Sequence, residues 1–360
     1  MTLSRILRLP KGLHLPTLAL TMALGVAGGF GARAVHLPLP MLLGSLLAVA
    51  AAALAGLRPF RRLPQCPTGL RLFFVPIIGV AIGGNFTPQI LLEARLWWPS
   101  LVALCLFIPT AHLLGYRALK AIGRLDPITT FFGTAPGGLT ETVLMGEEAG
   151  ADVAMLTMLQ FLRLILTIIV VPLGFTIATG HAVGSAGGAS LVGAHTLGAA
   201  DWGWILGAAA LGLVLGRASR LPAGMITGPI IVSAAMHLSG LSDASPPLWS
   251  IMATQIVIGT SLGVRFAGMP LGRLVLALRL AIVNVLIFIA LAAIFAYSLA
   301  GFVNEPVAAV FLAFAPGGLT EMSLIALSLQ MSVIYVTAHH VLRILLAVAI
   351  ARVFAGCVAR

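Results

Sequence analysis

Ala135-Pro136-Gly137-Gly138-Leu139-Thr140-Glu141 returns later in the chain as Ala315-Pro316-Gly317-Gly318-Leu319-Thr320-Glu321, every residue displaced by 180 positions. Seven successive identities do not arise from composition. The correspondence runs on: Arg163 and Arg343 each stand 22 residues beyond the glutamate of their own copy. Gly28, Arg33 and Met41 match Gly212, Arg217 and Met225 at a displacement of 184. The chain is therefore a duplication, and each half carries one glutamate and one arginine inside strongly apolar sequence.

The apolar content says which solvent the fold answers to. Of 360 residues, 60% are hydrophobic and 9% charged, and the mean hydropathy is +1.09. A soluble protein of that length could not bury so much apolar surface, so the expected medium is the lipid bilayer. A net charge of +11 would suggest nucleic acid in a soluble protein. Here the basic residues fall in short clusters between apolar runs, the pattern that orients membrane helices, and no nucleic-acid partner is expected. Cys66, Cys105 and Cys357 have no metal-ligand spacing and read as free thiols. Arg5, Arg8 and Lys11 before an apolar run, with Ala32-Arg33-Ala34 behind it, resemble a cleavable leader. The match of this segment to residues 212–225 favours a retained signal anchor instead.

Runs of about 20 apolar residues mark candidate spans. They lie at 16–35, 39–57, 69–86, 96–121 and 150–178 in one half. The other half has 201–217, 222–240, 247–265, 271–300 and 331–356. The fold class expected is thus an all-α polytopic membrane protein of about ten transmembrane helices. Its organisation is a first repeat over 1–178, an extracytoplasmic linker over 179–200 free of Asp, Glu, Lys and Arg, and a second repeat over 201–360. Pro76, Pro109 and Pro172 fall inside apolar runs and predict kinks.

Positive charge decides how the two motifs at 126–149 and 305–330 relate to the bilayer. If each is re-entrant and the N-terminus is cytoplasmic, Arg58, Arg61, Arg124, Arg217, Arg265 and Arg273 fall inside, and only Arg33 and Arg95 fall outside. Five spans per repeat is an odd number, so the second repeat is inserted upside down relative to the first. Both termini are then cytoplasmic, and the two Pro-Gly-Gly elements enter from opposite faces. Interrupted helices of inverted repeats meeting near the midplane are the usual build of secondary transporters.

The chemistry expected at the motif follows from its residues. Pro136 and Pro316 cannot continue a helix, while Gly137, Gly138, Gly317 and Gly318 permit positive φ at a sharp tip. From Leu139 or Leu319 a helix restarts, with Thr140 and Glu141, or Thr320 and Glu321, in its first turn. Its free N–H groups form an anion-binding end. Two readings of the charges stand side by side. In one, Glu141–Arg163 and Glu321–Arg343 are structural ion pairs. In the other, the glutamates couple to a proton or Na⁺ and the arginines hold an anionic substrate group. Gln160 aligns with His340, each three residues before its arginine, and both are candidate cavity lining. Asn85, Gln255 and Asn284 are weaker candidates. Gly79-x-x-x-Gly83 and Gly259-x-x-x-Gly263 read as ordinary helix packing.

Two APGGLTE motifs, each followed by an arginine-bearing apolar helix in a duplicated chain, resemble the AbrB-type membrane protein family. The resemblance implies a duplicated polytopic protein of the bacterial inner membrane, and family labels include ammonia monooxygenase and regulator of gene expression. The residues do not favour an enzyme. A copper oxygenase needs convergent histidines and carboxylates, whereas His339 and His340 are adjacent and diverge on a helix, and no nucleotide loop or nucleophile elbow is present. No resident cofactor is expected. The function expected is ion-coupled transport of a small polar or anionic metabolite by alternating access, with the bilayer and a small-molecule ligand as partners and a homo-oligomer open. A membrane sensor that regulates indirectly is the alternative.

Overall fold

The structure is a computed structural model that describes residues 13–67, 69–180, 198–219 and 223–358, with side chains except those of residues 91, 140, 351, 352 and 354–358. Arg5, Arg8, Lys11, positions 181–197 of the linker, Arg220, Pro222, Arg360 and the side chains of Thr140, Arg352 and Cys357 lie outside that description. Among the described residues the regular elements are helices, and each of the ten apolar runs forms one. They are α1 (Leu15–Ala34), α2 (Pro40–Leu54), α3 (Gly69–Gly83), a short α4 (Pro88–Glu93), α5 (Trp98–Gly123), α6 (Pro127–Thr134), α7 (Leu139–Glu148) and α8 (Val153–Thr179). There follow α9 (Ala199–Ala218), α10 (Gly224–Leu238), α11 (Leu248–Gly263), α12 (Leu271–Ser298), α13 (Val307–Phe314), α14 (Leu319–Ser328) and α15 (Val333–Val358). Among the described residues, six segments are long and apolar enough to cross a bilayer: α1, the stretch from Pro88 to Gly123, α8, α9, α12 and Val333–Ile350 of α15. This is the build of a multi-pass membrane protein.

Helix ends explain why some elements are shorter than their apolar runs. The run at 39–57 stops as helix at Leu54 because Gly56 takes φ 70°. Leu57 N–H then bonds back to the Ala52 carbonyl, the left-handed closure that satisfies last-turn oxygens. Gly240 (φ 70°) does the same for α10, with Leu241 N–H on the Met236 carbonyl, 184 residues later. Leu39 and Ala223, the N-caps of α2 and α10, match at the same displacement and both adopt left-handed backbone. The duplication is thus written into strained backbone as well as into side chains. Pro76, Pro109 and Pro172 each lie within a helix that continues past them.

The chain forms two compact units, and each draws on both sequence repeats. One unit comprises residues 1–87, 172–269 and 327–330. In it α1 packs on α2 and α9 on α10, while α3 packs on α10 and α11 on α2, so the third helix of each repeat lies on the second helix of the other. The glycines make this possible. A Cβ on Gly79 would lie 2.7 Å from the Ile226 carbonyl oxygen, and one on Gly259 would lie 2.3 Å from the Leu42 oxygen, the equivalent atom at displacement 184. Gly28 and Gly44 close the α1–α2 contact, as Gly212 and Gly228 close α9–α10. Without a hydrophobic drive between helices in lipid, such backbone approach supplies the packing.

The second unit comprises residues 88–171, 270–326 and 331–360 and holds both Pro-Gly-Gly motifs with both arginine-bearing helices. Here α5 lies against α12, and Phe107 inserts edge-on among Phe288, Phe295 and Phe314. Asp152, just before α8, bridges to Arg273 near the start of α12 at 3.2 Å. At the far end of α12, Glu305 lies beside Trp97 and Ser332 and within electrostatic reach of Glu93. Burial first, then the Glu93 carboxylate, holds its carboxyl above the ordinary range against hydrogen bonds from Ser332 and Trp97.

Gly259→Ala is expected to lower the melting temperature of the detergent-solubilised protein, at a cost of about 1–3 kcal/mol for overpacking. Gly207→Ala, where a Cβ meets nothing within 4 Å, is expected to leave it unchanged or raise it. Thermal unfolding of the two variants checks the assignment.

Candidate functional site

Each motif is an interrupted helix. In the first copy, Asp126 caps α6 by accepting from Thr129 N–H at 2.7 Å, and Pro127 occupies the first turn, where its missing N–H costs nothing. In the second, Pro306 precedes α13. Both helices stop one residue before the proline: Ala135 (φ −57°, ψ 127°) and Ala315 (φ −59°, ψ 143°) are extended, as a residue before proline must be. The chain restarts as α7 and α14 with Glu141 and Glu321 in their first turns.

The tip glycines differ from the expectation. None of Gly137, Gly138, Gly317 and Gly318 has positive φ, and Gly138 sits at φ −59°. Their reason is space. A Cβ on Gly138 would lie 2.3 Å from Glu141 Oε2, and one on Gly318 would lie 2.0 Å from Glu321 Oε2. Each glutamate therefore folds back onto the glycine at the head of its own helix. Gly137 lies against Ala347, and Gly317 against Met322.

The tips also reach across the duplication. Gly138 faces Ile344, the residue after Arg343, while Gly318 faces Leu164, the residue after Arg163. The two contacts correspond at displacement 180. Each interrupted helix thus rests on the arginine-bearing helix of the other repeat, and the two guanidinium groups lie within electrostatic range of one another.

Neither arginine pairs with a glutamate. Arg163 Nη1 donates to the Ala135 carbonyl and Nη2 to that of Gly137 at 3.2 Å. Arg343 donates in the same way to the Ala315 and Gly317 carbonyls. The guanidinium groups go to backbone in both copies, so the structural ion pairs Glu141–Arg163 and Glu321–Arg343 considered from sequence are not formed. The reason lies in helix electrostatics. The broken end of α6 or α13 presents severed carbonyls and a partial negative charge, and a planar guanidinium can serve two of them at once. Gln160 joins in, donating to Phe132 (2.6 Å) and Ala135 (3.1 Å), and His340 Nε2 bonds the Leu312 carbonyl at 3.1 Å. Both arginines, both Nε–H groups, Gln160 Oε1 and His340 Nδ1 are buried, and those Nε, Oε1 and Nδ1 atoms have no partner among the described residues.

The two copies differ in exposure. Glu141 is exposed, whereas Glu321 is 4% exposed and Thr320 is buried with it. Thr140 lies in the first turn of α7. Thr167 hydrogen-bonds its own helix at the Arg163 carbonyl, and Asn85 bonds the Ala81 carbonyl. Asn284 packs against Gly115, and Gln255 is buried in the other unit. Two polar groups, one at an interrupted helix and one at an arginine-bearing helix, had no signal beyond a lone polar letter in an apolar run. His112 bonds the Phe131 carbonyl at 2.8 Å, and Ser100 bonds His339 Nε2 at 2.9 Å while His339 Nδ1 meets the Tyr335 carbonyl. His339 and His340 do diverge, the first toward α5 and the second toward the end of α13. Among the described residues no three His, Cys, Asp or Glu side chains are placed to hold a metal ion.

Arg163→Lys and Arg343→Lys are each expected to lower the melting temperature in detergent. An ammonium cannot span two carbonyls, and a buried acceptor left bare costs about 1–3 kcal/mol. The alanine carbonyl keeps a second donor in both copies, Gln160 for Ala135 and the Gly317 N–H for Ala315, so the glycine carbonyl is the acceptor at stake. Melting temperatures of the two variants check the loss.

A family model described as "Transition state regulatory protein AbrB" matches residues 60–359. A Bacillus subtilis (strain 168) protein named "Uncharacterized protein YhjN" is 27% identical over 352 residues, covering 91% of this chain and 90% of the relative. An Escherichia coli (strain K12) protein named "Putative regulator AbrB" is 27% identical over 324 residues, covering 87% and 88%. With the match spanning the second interrupted helix as well as the first, the chain belongs to the AbrB family.

Proposed function

We propose that the protein is a secondary transporter of a small polar or anionic metabolite, coupled to protons or Na⁺ and working by alternating access. The observation that carries this reading is the reciprocal seat of the two tips: each broken helix rests on the arginine helix of the other repeat, at Ile344 and at Leu164. Backbone broken at membrane depth is tolerated where it is buried in protein or lines a wet cavity, and transporter sites are built from such breaks. The whole constellation belongs to one unit, so the site we propose is made by both repeats inside that unit.

In this reading the repeats are inverted and about ten helices span the bilayer, with the linker at 179–200 outside. The Asp152–Arg273 bridge ties the exit of the first interrupted helix to the start of α12. A 28-residue helix runs about 42 Å at 1.5 Å per residue. The second interrupted helix begins beyond its far end, near Glu93 and Trp97 at the head of α5. Helix α5 returns to Arg124 and Asp126, where the first begins. These connections support insertion from opposite ends. Lys120, Arg124 and Arg273 at the first end favour its being cytoplasmic, in a bacterial inner membrane with both termini inside.

A second reading is a membrane sensor that regulates gene expression indirectly, favoured by the regulator named among the relatives. We assign no enzymatic role and no resident cofactor; bound copper or iron in the purified protein would overturn that assignment.

Proteoliposomes offered a metabolite panel from outside separate the readings. Transport predicts uptake driven by an imposed pH or Na⁺ gradient, reduced at least tenfold in Glu321→Gln. Saturable binding with no flux under any gradient would leave the sensor.

A further inference from the structure

We infer that the transported molecule carries a carboxylate-sized anionic group that takes the place of the glutamate carboxylate at the tip, so that one proton enters with each such group. This inference rests on the transporter reading and names the substrate class and coupling ion of that site.

The starting point is what already occupies the tip. In both copies a carboxylate oxygen lies over the glycine that heads the restarted helix, close enough that any Cβ would collide with it, at 2.3 Å for Gly138 and 2.0 Å for Gly318. Gly138, at the head of α7, supplies no side-chain cap. The positive dipole end of a ten-residue helix therefore has beside it a carboxylate supplied by the chain itself. A carboxylate already seated there shows which chemistry the seat accepts.

A second, independent observation points to a ligand at the same tip. Arg163 and Arg343 are 6% and 4% exposed, and each spends its Nη groups on tip carbonyls while its Nε–H finds no partner. A buried donor left bare costs free energy. The same atom is left bare in both copies, on the guanidinium that holds the carbonyls of the tip.

Charge then links the proton to the anion. With the glutamate ionised, the tip holds one negative charge at the head of the restarted helix and one positive charge at the severed carbonyls. A second anion would meet the glutamate and be repelled. With the carboxyl protonated, the negative charge is gone and the positive end of the restarted helix is open to another anion. Of the other ionisable groups on these elements, both guanidinium groups are turned to the tip carbonyls, and His340 lies a turn before Arg343 on α15. The proton moves from solvent to a glutamate oxygen on entry and returns to solvent on release, so nothing but a proton and an anion changes place. By linkage, the anion and the proton each raise affinity for the other by the same factor. One proton per anion means apparent affinity falls about tenfold per pH unit where the free carboxyl is ionised.

The test uses the full-length protein in detergent, with acetate, pyruvate and succinate as probes and acetamide and succinamide as uncharged counterparts. The measurement is ligand-induced thermal stabilisation between pH 5.5 and 8. Binding of at least one carboxylate, with affinity falling about tenfold per pH unit, is expected. In Glu321→Gln, an isosteric change that removes the ionisable group, that dependence should flatten. Gly318→Ala, which puts a methyl where the carboxylate lies, should abolish binding. Should Glu321→Gln not fold, Glu141→Gln is read instead, with a flattened slope again expected. Binding of the amides in preference to the carboxylates, or a slope unchanged in the Gln variant, overturns the inference while leaving transport to be judged by flux. Carboxylate binding with the expected slope but no flux keeps this site and removes the transport reading.

Discussion

A helix cut in two where water is scarce leaves carbonyls at one stump and N–H groups at the other, and neither can go unmet. That requirement organises the second unit. Arg163 and Arg343 meet the carbonyl stumps, with Gln160 and His340 one turn earlier taking the next oxygens back. Glu141 and Glu321 lie over the opposite stumps. Each arginine is thereby held by backbone, not by its glutamate. A buried guanidinium with no counter-ion is expensive, and two or more carbonyl dipoles offset that expense where an ion pair would have left the carbonyls bare.

The duplication turns this local solution into a paired one. Because Gly138 leans on Ile344 and Gly318 on Leu164, neither interrupted helix can be placed without the long helix of the other repeat. The first unit obeys the same rule through different atoms, with Gly79 against Ile226 and Gly259 against Leu42. Each unit is therefore completed by both repeats, which is why the boundaries of the compact units do not follow the sequence repeat.

How much of this could be read from letters depends on what each feature is made of. Apolar runs report helices directly, and all ten were legible with ends shifted by a few residues. The shifts came from left-handed closures such as Gly56 and Gly240, where the chain turns while its composition stays apolar. The interrupted helices were legible because proline cannot continue a helix. The role of the tip glycines was not: a glycine needed for positive φ and one needed for an empty Cβ position are the same letter, and only packing tells them apart. The partner of each arginine was hidden for a related reason. Sequence offers a glutamate as the opposite charge, whereas the partner chosen is a helix end, whose partial charge belongs to no residue. His112 and Ser100 were missed because a single polar side chain in an apolar run does not say which backbone it will satisfy.

The differences between the copies carry the remaining argument. Alanine, proline, two glycines, threonine and glutamate are unchanged, yet Thr142 is replaced by Met322 and Gln160 by His340. The replaced residues serve the shape of each hairpin: Met322 fills the space beside Gly317, and Gln160 and His340 solve the same carbonyl problem with different donors. Folding alone thus tolerates substitution around the tip. The glutamate, by contrast, answers the positive end of the restarted helix, a task that no apolar residue can share. It is kept in both copies although exposed in one and buried in the other, so what the copies share is the helix end it covers and not the medium around it.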